Sequence, residues 1–208
     1  MREGNLMEAI SNLKESLKIR PNNSTALYNL SMAYYKDRDI DNAINGLKKA
    51  LIVEPRFPDA LNNLGVMLFN EGKINEAIYY YQEAIKVSPE SSVIHCNLAN
   101  AMAKIKNFKE AIRHYDKALL FDPDNLTAYY NLGLLQLKMG NIEKAGAHFS
   151  EAIRINPKFV EAYDQIGIIF MNQKKPDIAK KFFLKAIELK SNDKTAMENL
   201  DKINEASN

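Results

Sequence analysis

Cysteine, an excess of one charge and long apolar runs are all scarce in this 208-residue chain. Its one cysteine, Cys96, excludes a disulfide within the chain, as is typical of reducing compartments. The 28 basic and 26 acidic residues give a net charge of +2, without the basic excess of nucleic-acid-binding proteins. No apolar run is long enough to cross a membrane, and residues 1–5 lack the apolar core of a signal peptide. We therefore expect a cytoplasmic protein that neither binds nucleic acid nor inserts into a membrane.

A period of 34 residues dominates what the sequence does contain. Five of the seven prolines follow it: Pro21, Pro55, Pro89, Pro123 and Pro157. Two series of small residues keep the same spacing: Ala9, Ala43, Ala77, Ala111, Ala145 and Ala179, and Ser16, Ala50, Ala84, Ala118, Ala152 and Ala186. Between them runs a series of large apolar residues: Leu13, Leu47, Tyr81, Tyr115, Phe149 and Phe183. Small residues let two helices approach closely, and the large residue fills the space that remains.

Within each period the apolar residues recur three and four apart, which predicts amphipathic helices that end before the proline. Turns between the helices are expected at Gly72 and Gly140, and at Arg38, Lys106 and Lys174 where glycine is missing. Leucine recurs in the first helix at Leu30, Leu64, Leu98, Leu132 and Leu200, with Ile166 in the same series. Beside it run the small residues Ser31, Gly65, Ala99, Gly133 and Gly167.

This pattern resembles the tetratricopeptide repeat (TPR) family, whose 34-residue unit is a helix–turn–helix. The resemblance implies an all-α fold, a right-handed α-solenoid of about five and a half repeats with a C-terminal capping helix. We expect residues 1–208 to form a single solenoid, in which 1–23 hold the second helix of a partial repeat. The full repeats are 24–57, 58–91, 92–125, 126–159 and 160–193, and the capping helix lies in 194–208.

The two ends and one inner position depart from the regular pattern. The first helix is expected over about Leu6 to Ile19, with part of its apolar stripe exposed. In the capping helix we expect Met197 and Leu200 to pack and Glu198, Lys202 and Glu205 to face away. Gln136 stands at a repeat position that faces the packed side.

Residues of catalysis and cofactor binding form no recognisable motif. The sequence has no glycine-rich phosphate loop, no HExxH or paired-cysteine motif and no nucleophile elbow. His95 and Cys96 are adjacent on a helix and so point in different directions, and His95 occupies a core position. His114 and His148 share one repeat position, are expected to be exposed, and lie too far apart for one metal ion. We therefore expect no enzyme activity, no cofactor and no metal.

In the family that the chain resembles, the first helix of each repeat lines a concave binding face. Mapped here, the sixth repeat position carries a row of carboxamides: Asn29, Asn63, Asn97, Asn131, Gln165 and Asn199. A carboxamide both donates and accepts, so the row matches the backbone of an extended peptide. It resembles the asparagine ladder in the TPR domain of O-linked N-acetylglucosamine transferase. The alternative is that these side chains bond to the neighbouring helix.

Other positions on that face are expected to determine specificity. The apolar and aromatic candidates include Tyr28, Tyr35, Phe69 and Tyr130, and Cys96 and Asn100 belong to a more polar middle. Lys104 and Lys138 are expected to meet an acidic group, and Glu161 and Asp164 a basic one. The two-carboxylate clamp of chaperone-binding members is incomplete, because only Asn100 and Asn131 match it.

The function that the resemblance implies is a scaffold or adaptor that binds a peptide segment of a partner protein. Two alternatives remain open from the sequence. The chain could assemble with itself through its first helix, or it could be the substrate-recruiting arm of a larger enzyme. A similar repeat serves unrelated processes, so the fold alone does not decide among them.

Overall fold

The computed structural model describes residues 2–205, and these residues form twelve α-helices and no strand. The helices are α1 Arg2–Ile19, α2 Ser24–Lys36, α3 Ile40–Val53, α4 Pro58–Asn70, α5 Ile74–Val87, α6 Ser92–Lys104, α7 Phe108–Phe121, α8 Leu126–Lys138, α9 Ile142–Ile155, α10 Val160–Asn172, α11 Pro176–Leu189 and α12 Lys194–Glu205. The fold is an all-α helical repeat solenoid, which confirms the predicted class. Each first helix begins at the first residue of a 34-residue period.

The chain divides into two compact units, with the boundary between Phe121 and Asp122. In the first unit, α2 packs chiefly on α3, α4 on α5 and α6 on α7. In the second unit, α8 packs on α9 and α10 on α11, while α12 contacts both α10 and α11. The organisation of residues 1–208 as a single solenoid stays a prediction.

The turns inside the helix pairs lie where the sequence predicted them. Arg38, Lys106 and Lys174 have φ values of 64°, 63° and 57°, and Gly72 and Gly140 have 76° and 80°. All five residues are therefore in the left-handed region, where only glycine is free of steric strain. The two prolines outside the 34-residue series, Pro58 and Pro176, occupy the first position of α4 and α11, where the missing N–H costs nothing.

The core repeats a single arrangement of small and large residues. The alanines of both predicted series are fully buried from Ala43 onward, and Leu47, Tyr81, Tyr115, Phe149 and Phe183 between them are 0–2% exposed. A Cβ atom added at Gly65, Gly133 or Gly167 would lie 2.5–2.6 Å from the nearest ring carbon of Tyr81, Phe149 or Phe183. Glycine thus lets the second-helix ring lie directly against the backbone of the first helix.

Gln136 is buried at the packed position that the sequence indicated. Its side-chain oxygen accepts a hydrogen bond from Asn141 Nδ2 at 2.8 Å, and its backbone carbonyl accepts one from Asn141 N at 2.9 Å. Asn141 directly precedes α9, so the turn itself satisfies the buried carboxamide.

The first helix is longer than predicted and the last packs differently. The helix α1 begins at Arg2, because the polar residues before Leu6 continue it without a proline or cap to stop it. In α12, Ala196 and Ile203 are buried and Leu200 packs beside them. The expectation for Met197 was wrong, since its side chain is 47% exposed. Residues 206–208, the end of the predicted capping segment 194–208, lie outside the described residues.

Candidate functional site

In the first unit, the predicted binding residues lie on the sides of α2, α4 and α6 that the core leaves accessible. Asn29, Tyr35 and Lys104 are exposed, and Tyr28, Asn63, Phe69, Asn97 and Asn100 are partly buried. The Tyr28 ring lies 5.1 Å from the Phe57 ring, and burial raises the pKa of its hydroxyl. Apolar side chains that are accessible at neighbouring positions of α2 and α4 are typical of a surface that contacts a partner.

The carboxamides of the first unit bond to the preceding repeat. Asn63 Nδ2 donates to the Tyr28 hydroxyl at 2.8 Å, and Asn97 Nδ2 donates to Asn62 Oδ1 at 2.9 Å. These bonds connect α2 to α4 and α4 to α6. Asn29, in the first full repeat, is exposed. Each of these bonds uses one N–H of the carboxamide, and Asn63 Nδ2 also lies 3.5 Å from Met32 Sδ. Two ladder residues are therefore engaged within the protein, and their side-chain oxygens remain as acceptors for a peptide.

Cys96 does not belong to the accessible face, which corrects the sequence prediction for the polar middle. Its side chain is buried, and burial raises the pKa of the thiol to about 11. A thiol with this pKa stays protonated and unreactive at neutral pH. Next to it, the Tyr115 hydroxyl donates to Asn100 Oδ1 from the second helix of the same repeat. Asn100 is thus positioned by the core beneath it.

In the second unit, α8 carries Tyr130, Asn131 and Lys138, and α10 carries Glu161, Asp164 and Gln165. The Tyr130 ring packs on Phe149 and Phe159, with centroids 5.7 and 5.0 Å away. Lys138 is exposed, and Asn131 and Gln165 are partly buried. Asn199 donates to the backbone oxygen of Thr195 at 2.9 Å, within its own helix.

The two carboxylates predicted for a basic partner differ in accessibility, which corrects half of that prediction. Glu161 is exposed, whereas Asp164 is buried at 5% exposure. Burial, and then the charge of Asp193 and a hydrogen bond to it, raise the pKa of the Asp164 carboxyl to about 7. The Asp193 carboxylate accepts hydrogen bonds from Ala196 N and from Lys190 Nζ, both at 3.1 Å, and these bonds favour its charged form. Glu161 is therefore the accessible carboxylate of the two.

His95 and His114 form a pair that the sequence analysis missed. Their Nδ1 atoms are 2.9 Å apart, and His95 Nε2 lies 2.9 Å from the carbonyl oxygen of Pro89. A carbonyl only accepts, so His95 carries its proton on Nε2, and His114 donates from Nδ1. Burial lowers the pKa of both rings, to about 4 for His114. The expected exposure of the two second-helix histidines was wrong, because His114 and His148 are both partly buried.

The signal that could have revealed this pair is a spacing of 19 residues within each repeat. The fourth and the twenty-third repeat positions hold the pairs Leu27 and Gly46, Leu61 and Tyr80, His95 and His114, Tyr129 and His148, and Tyr163 and Phe182. In the second unit, ring centroids are 6.2 Å apart for Tyr129 and His148 and 6.4 Å for Tyr163 and Phe182. We call these two positions the closing pair.

In residues 2–205, no three His, Cys, Asp or Glu side chains are grouped so as to hold a metal ion. None of the helices described in that range has the length and apolar character to cross a bilayer.

Comparisons with known sequences identify the repeat directly. Profiles described as tetratricopeptide repeat match residues 1–64, 58–91, 127–159 and 160–193, and one described as TPR repeat matches residues 104–140. No curated protein sequence matches the chain significantly.

Solved structures share the fold. MamA is 29% identical at a TM-score of 0.71, and the match covers 78% of this chain and 95% of that chain. PilF from Pseudomonas aeruginosa is 20% identical at a TM-score of 0.81, with 97% and 91% covered. YrrB, described as a TPR protein with an unusual peptide-binding site, is 15% identical at a TM-score of 0.69, with 91% and 97% covered. The 34-residue period, the paired helices and the matching profiles agree, and the chain belongs to the tetratricopeptide repeat family.

Proposed function

We propose that the chain is a protein-interaction scaffold that binds a peptide segment of a partner on the accessible sides of its first helices. The observation that carries the proposal is the cluster of accessible apolar side chains on α2 and α4. Tyr28, Met32, Tyr35, Val66 and Phe69 remain exposed or partly buried after the alanines and rings of the core are packed. Apolar surface of this kind gains free energy when a partner covers it.

Polar groups beside this cluster supply direction and register to a bound peptide. The side-chain oxygens of Asn63 and Asn97 suit peptide N–H groups, since the bonds that these residues make within the protein use the amide nitrogen and leave the oxygen as an acceptor. In the second unit, Glu161 and Lys138 are exposed charges that suit a basic and an acidic side chain. The proposed binding is noncovalent, and a location in the cytoplasm stays a prediction.

Selection from a displayed library of random twelve-residue peptides tests this proposal. Peptides that bind the wild type are measured again with Tyr35→Ala/Phe69→Ala, which we expect to weaken binding about tenfold or more, as interface aromatics do on truncation. The matched control is Tyr79→Ala, because Tyr79 is an aromatic of the second helix α5 with 56% exposure. Equal affinity of the Tyr35→Ala/Phe69→Ala variant and the wild type would contradict the proposed surface.

Self-association through α1 is a second candidate, favoured by one specific observation. Ala9 and Ser16 are exposed and Leu13 is only partly buried, whereas their equivalents in the later repeats are buried to 0–2% exposure. Sedimentation equilibrium over a hundredfold concentration range separates the two functions. A constant monomer mass excludes self-association, and a rising mass that Leu13→Glu abolishes supports it.

A further inference from the structure

A cavity of about 400 Å³ lies among α1, α2 and α3, apart from the surface proposed above. The residues that α2 contributes to it are Leu27, Leu30 and Tyr34. At 3.6 residues per turn, these three lie on the opposite side of α2 from Tyr28 and Met32. The cavity and the proposed peptide surface are therefore separate, and we call this cavity the α1–α3 groove.

The groove exists because the closing pair of its repeat is the smallest in the chain. Leu27 and Gly46 occupy positions at which every later repeat places at least one ring. A Cβ atom added to Gly46 would lie 2.1 Å from the Ser31 hydroxyl oxygen, so a larger residue there requires the Ser31 side chain to move. As a result Leu30 is only partly buried, whereas the equivalent Leu64 and Leu98 are 0% and 1% exposed.

The lining combines an apolar floor with charge of one sign. Leu17, Leu27 and Leu30 form the floor, and Lys14, Lys18 and Lys49 stand around it with no carboxylate among the lining residues. Lys14 Nζ lies 5.5 Å from the centre of the Tyr34 ring. Lys18 forms an ion pair with Glu15 at 2.6 Å, but both side chains are more than 60% exposed. Such an exposed pair is weak, so another anion readily replaces Glu15 beside Lys18.

We propose that the α1–α3 groove binds an acidic peptide segment that inserts an aliphatic side chain between α1 and α3. The inserted side chain covers Leu17, Leu27 and Leu30, and flanking carboxylates meet Lys14, Lys18 and Lys49. The carboxamides of Asn42 and Asn45, which also line the groove, face the backbone of such a segment. Charge complementarity selects an acidic segment over a basic one.

Two variants of the protein test the two halves of this chemistry. Ser31→Gly/Gly46→Tyr installs the combination that the next repeat has at Gly65 and Tyr80, and so fills the groove with a ring that this architecture already accommodates. Lys14→Glu/Lys49→Glu reverses the charge of the rim. Its matched control is Lys36→Glu/Lys48→Glu, which changes the net charge equally at exposed residues outside the groove.

The probes are three fluorescein-labelled hexapeptides measured by fluorescence anisotropy: EELLEE, KKLLKK and EESSEE. We expect only EELLEE to bind the wild type, with backbone amide NMR shifts concentrated on the groove residues. Filling the groove and reversing its rim are each expected to weaken binding at least tenfold, and the control variant and Tyr35→Ala/Phe69→Ala to leave it within twofold.

Several results would overturn the proposal. These are no binding of EELLEE, equal binding of KKLLKK or EESSEE, or equal losses in the rim variant and its control. Retained affinity in a filled variant that keeps the helical circular dichroism of the wild type would do the same. Vesicles with phosphatidylserine are a fourth probe, and binding of these vesicles through the same lysines without binding of EELLEE assigns the groove to a membrane surface instead.

Discussion

At the scale of single residues, three repeats have glycine at the eighth position, where an aromatic ring of the second helix packs against the backbone. A Cβ at Gly133 would lie 2.6 Å from a Phe149 ring carbon, whereas a Cβ at Gly146 meets nothing within 4 Å. We expect Gly133→Ala to lower the free energy of unfolding by about 1–3 kcal/mol, because the ring must shift. Gly146→Ala, within α9, is expected to raise it by about 0.5–1 kcal/mol through helix propensity. Urea denaturation measures both, and equal effects would contradict the packing argument.

The left-handed turn residues lead to a second prediction for single residues. Lys106 has a φ of 63°, a conformation that strains every residue with a Cβ. Lys106→Gly removes this strain but makes the unfolded chain more flexible. The net effect expected is an increase of about 0.5–1 kcal/mol in the free energy of unfolding. Lys48→Gly, at an exposed position inside α3, is the control. It is expected to lower the free energy of unfolding by about 1 kcal/mol. A thermal unfolding temperature lower for Lys106→Gly than for the wild type would refute the strain argument.

Sequence periodicity predicts residues well where the environment repeats, and poorly where it does not. The buried alanines, the large residues between them and all five turn positions follow from spacing alone. The family resemblance implied that the repeat position of Cys96 and Asp164 lies on the accessible face, as it does for Tyr28 and Tyr130. Their burial depends on the particular side chains that surround them, such as Tyr115 and Asp193, which differ from repeat to repeat.

At the scale of the helix pair, we expect the stability of α6 and α7 to be sensitive to acid. The reason is the closing pair of their repeat, His95 and His114. His95 and His114 are neutral in the folded protein, and Lys117 and Arg113 nearby oppose protonation of His114 while Glu110 favours it. Histidine in the unfolded chain has a pKa near 6.5, above the folded value of about 4 for His114. The stabilisation is therefore present above about pH 6.5 and is lost as the pH falls toward 4.

Replacing the pair by that of the preceding repeat tests this prediction. His95→Leu/His114→Tyr reproduces Leu61 and Tyr80 and removes both titrating rings. Between pH 7 and pH 4.5, the wild type is expected to lose about 1–2 kcal/mol more stability than the variant, after allowance for partial solvent exposure. Urea denaturation at a series of pH values gives the comparison, and parallel curves would exclude a role for the pair.

Helix bounds were predictable to within a few residues, but hydrogen bonds between side chains of the two helices of a pair were not. Proline, glycine and the apolar spacing determine where a helix begins and ends, and all are local in sequence. The bond between His95 and His114 joins residues 19 apart, and its geometry depends on how closely α6 and α7 approach. The accessible face could likewise be located from the repeat position, whereas the engagement of Asn63 by Tyr28 requires the coordinates of two neighbouring repeats.

At the scale of the whole molecule, we expect the stabilities of the two units to respond to pH in opposite directions. Asp164 in the second unit has a pKa of about 7 when folded, above its ordinary value of 3.8. Its neutral form is favoured by burial and by the charges of Asp193 and Glu161, and opposed by Lys190. The stabilisation that neutral Asp164 gives the second unit is present below about pH 4 and is lost as the pH rises through 7. Over the same rise in pH, the histidine pair increases the stability of the first unit.

Amide hydrogen exchange, measured separately for the helices of the two units, tests whether their stabilities depend on pH in opposite directions. From pH 5 to pH 7, after correction for intrinsic exchange rates, protection of α6 and α7 is expected to rise and protection of α10 and α12 to fall. Asp164→Asn is expected to abolish the second change and leave the first. Unchanged pH dependence of α10 and α12 in Asp164→Asn would contradict the assignment to this carboxyl.

The closing pair also has a consequence for how such an array changes over generations. Both of its members lie inside one 34-residue period, so duplication or loss of a whole period at the level of the gene carries the pair along intact. The bonds from Asn63 to Tyr28 and from Asn97 to Asn62 span 35 residues and so join neighbouring periods. Recombination of whole periods therefore keeps the contacts inside each repeat unchanged. The bonds between neighbouring repeats must instead be selected anew whenever a repeat gains a new neighbour.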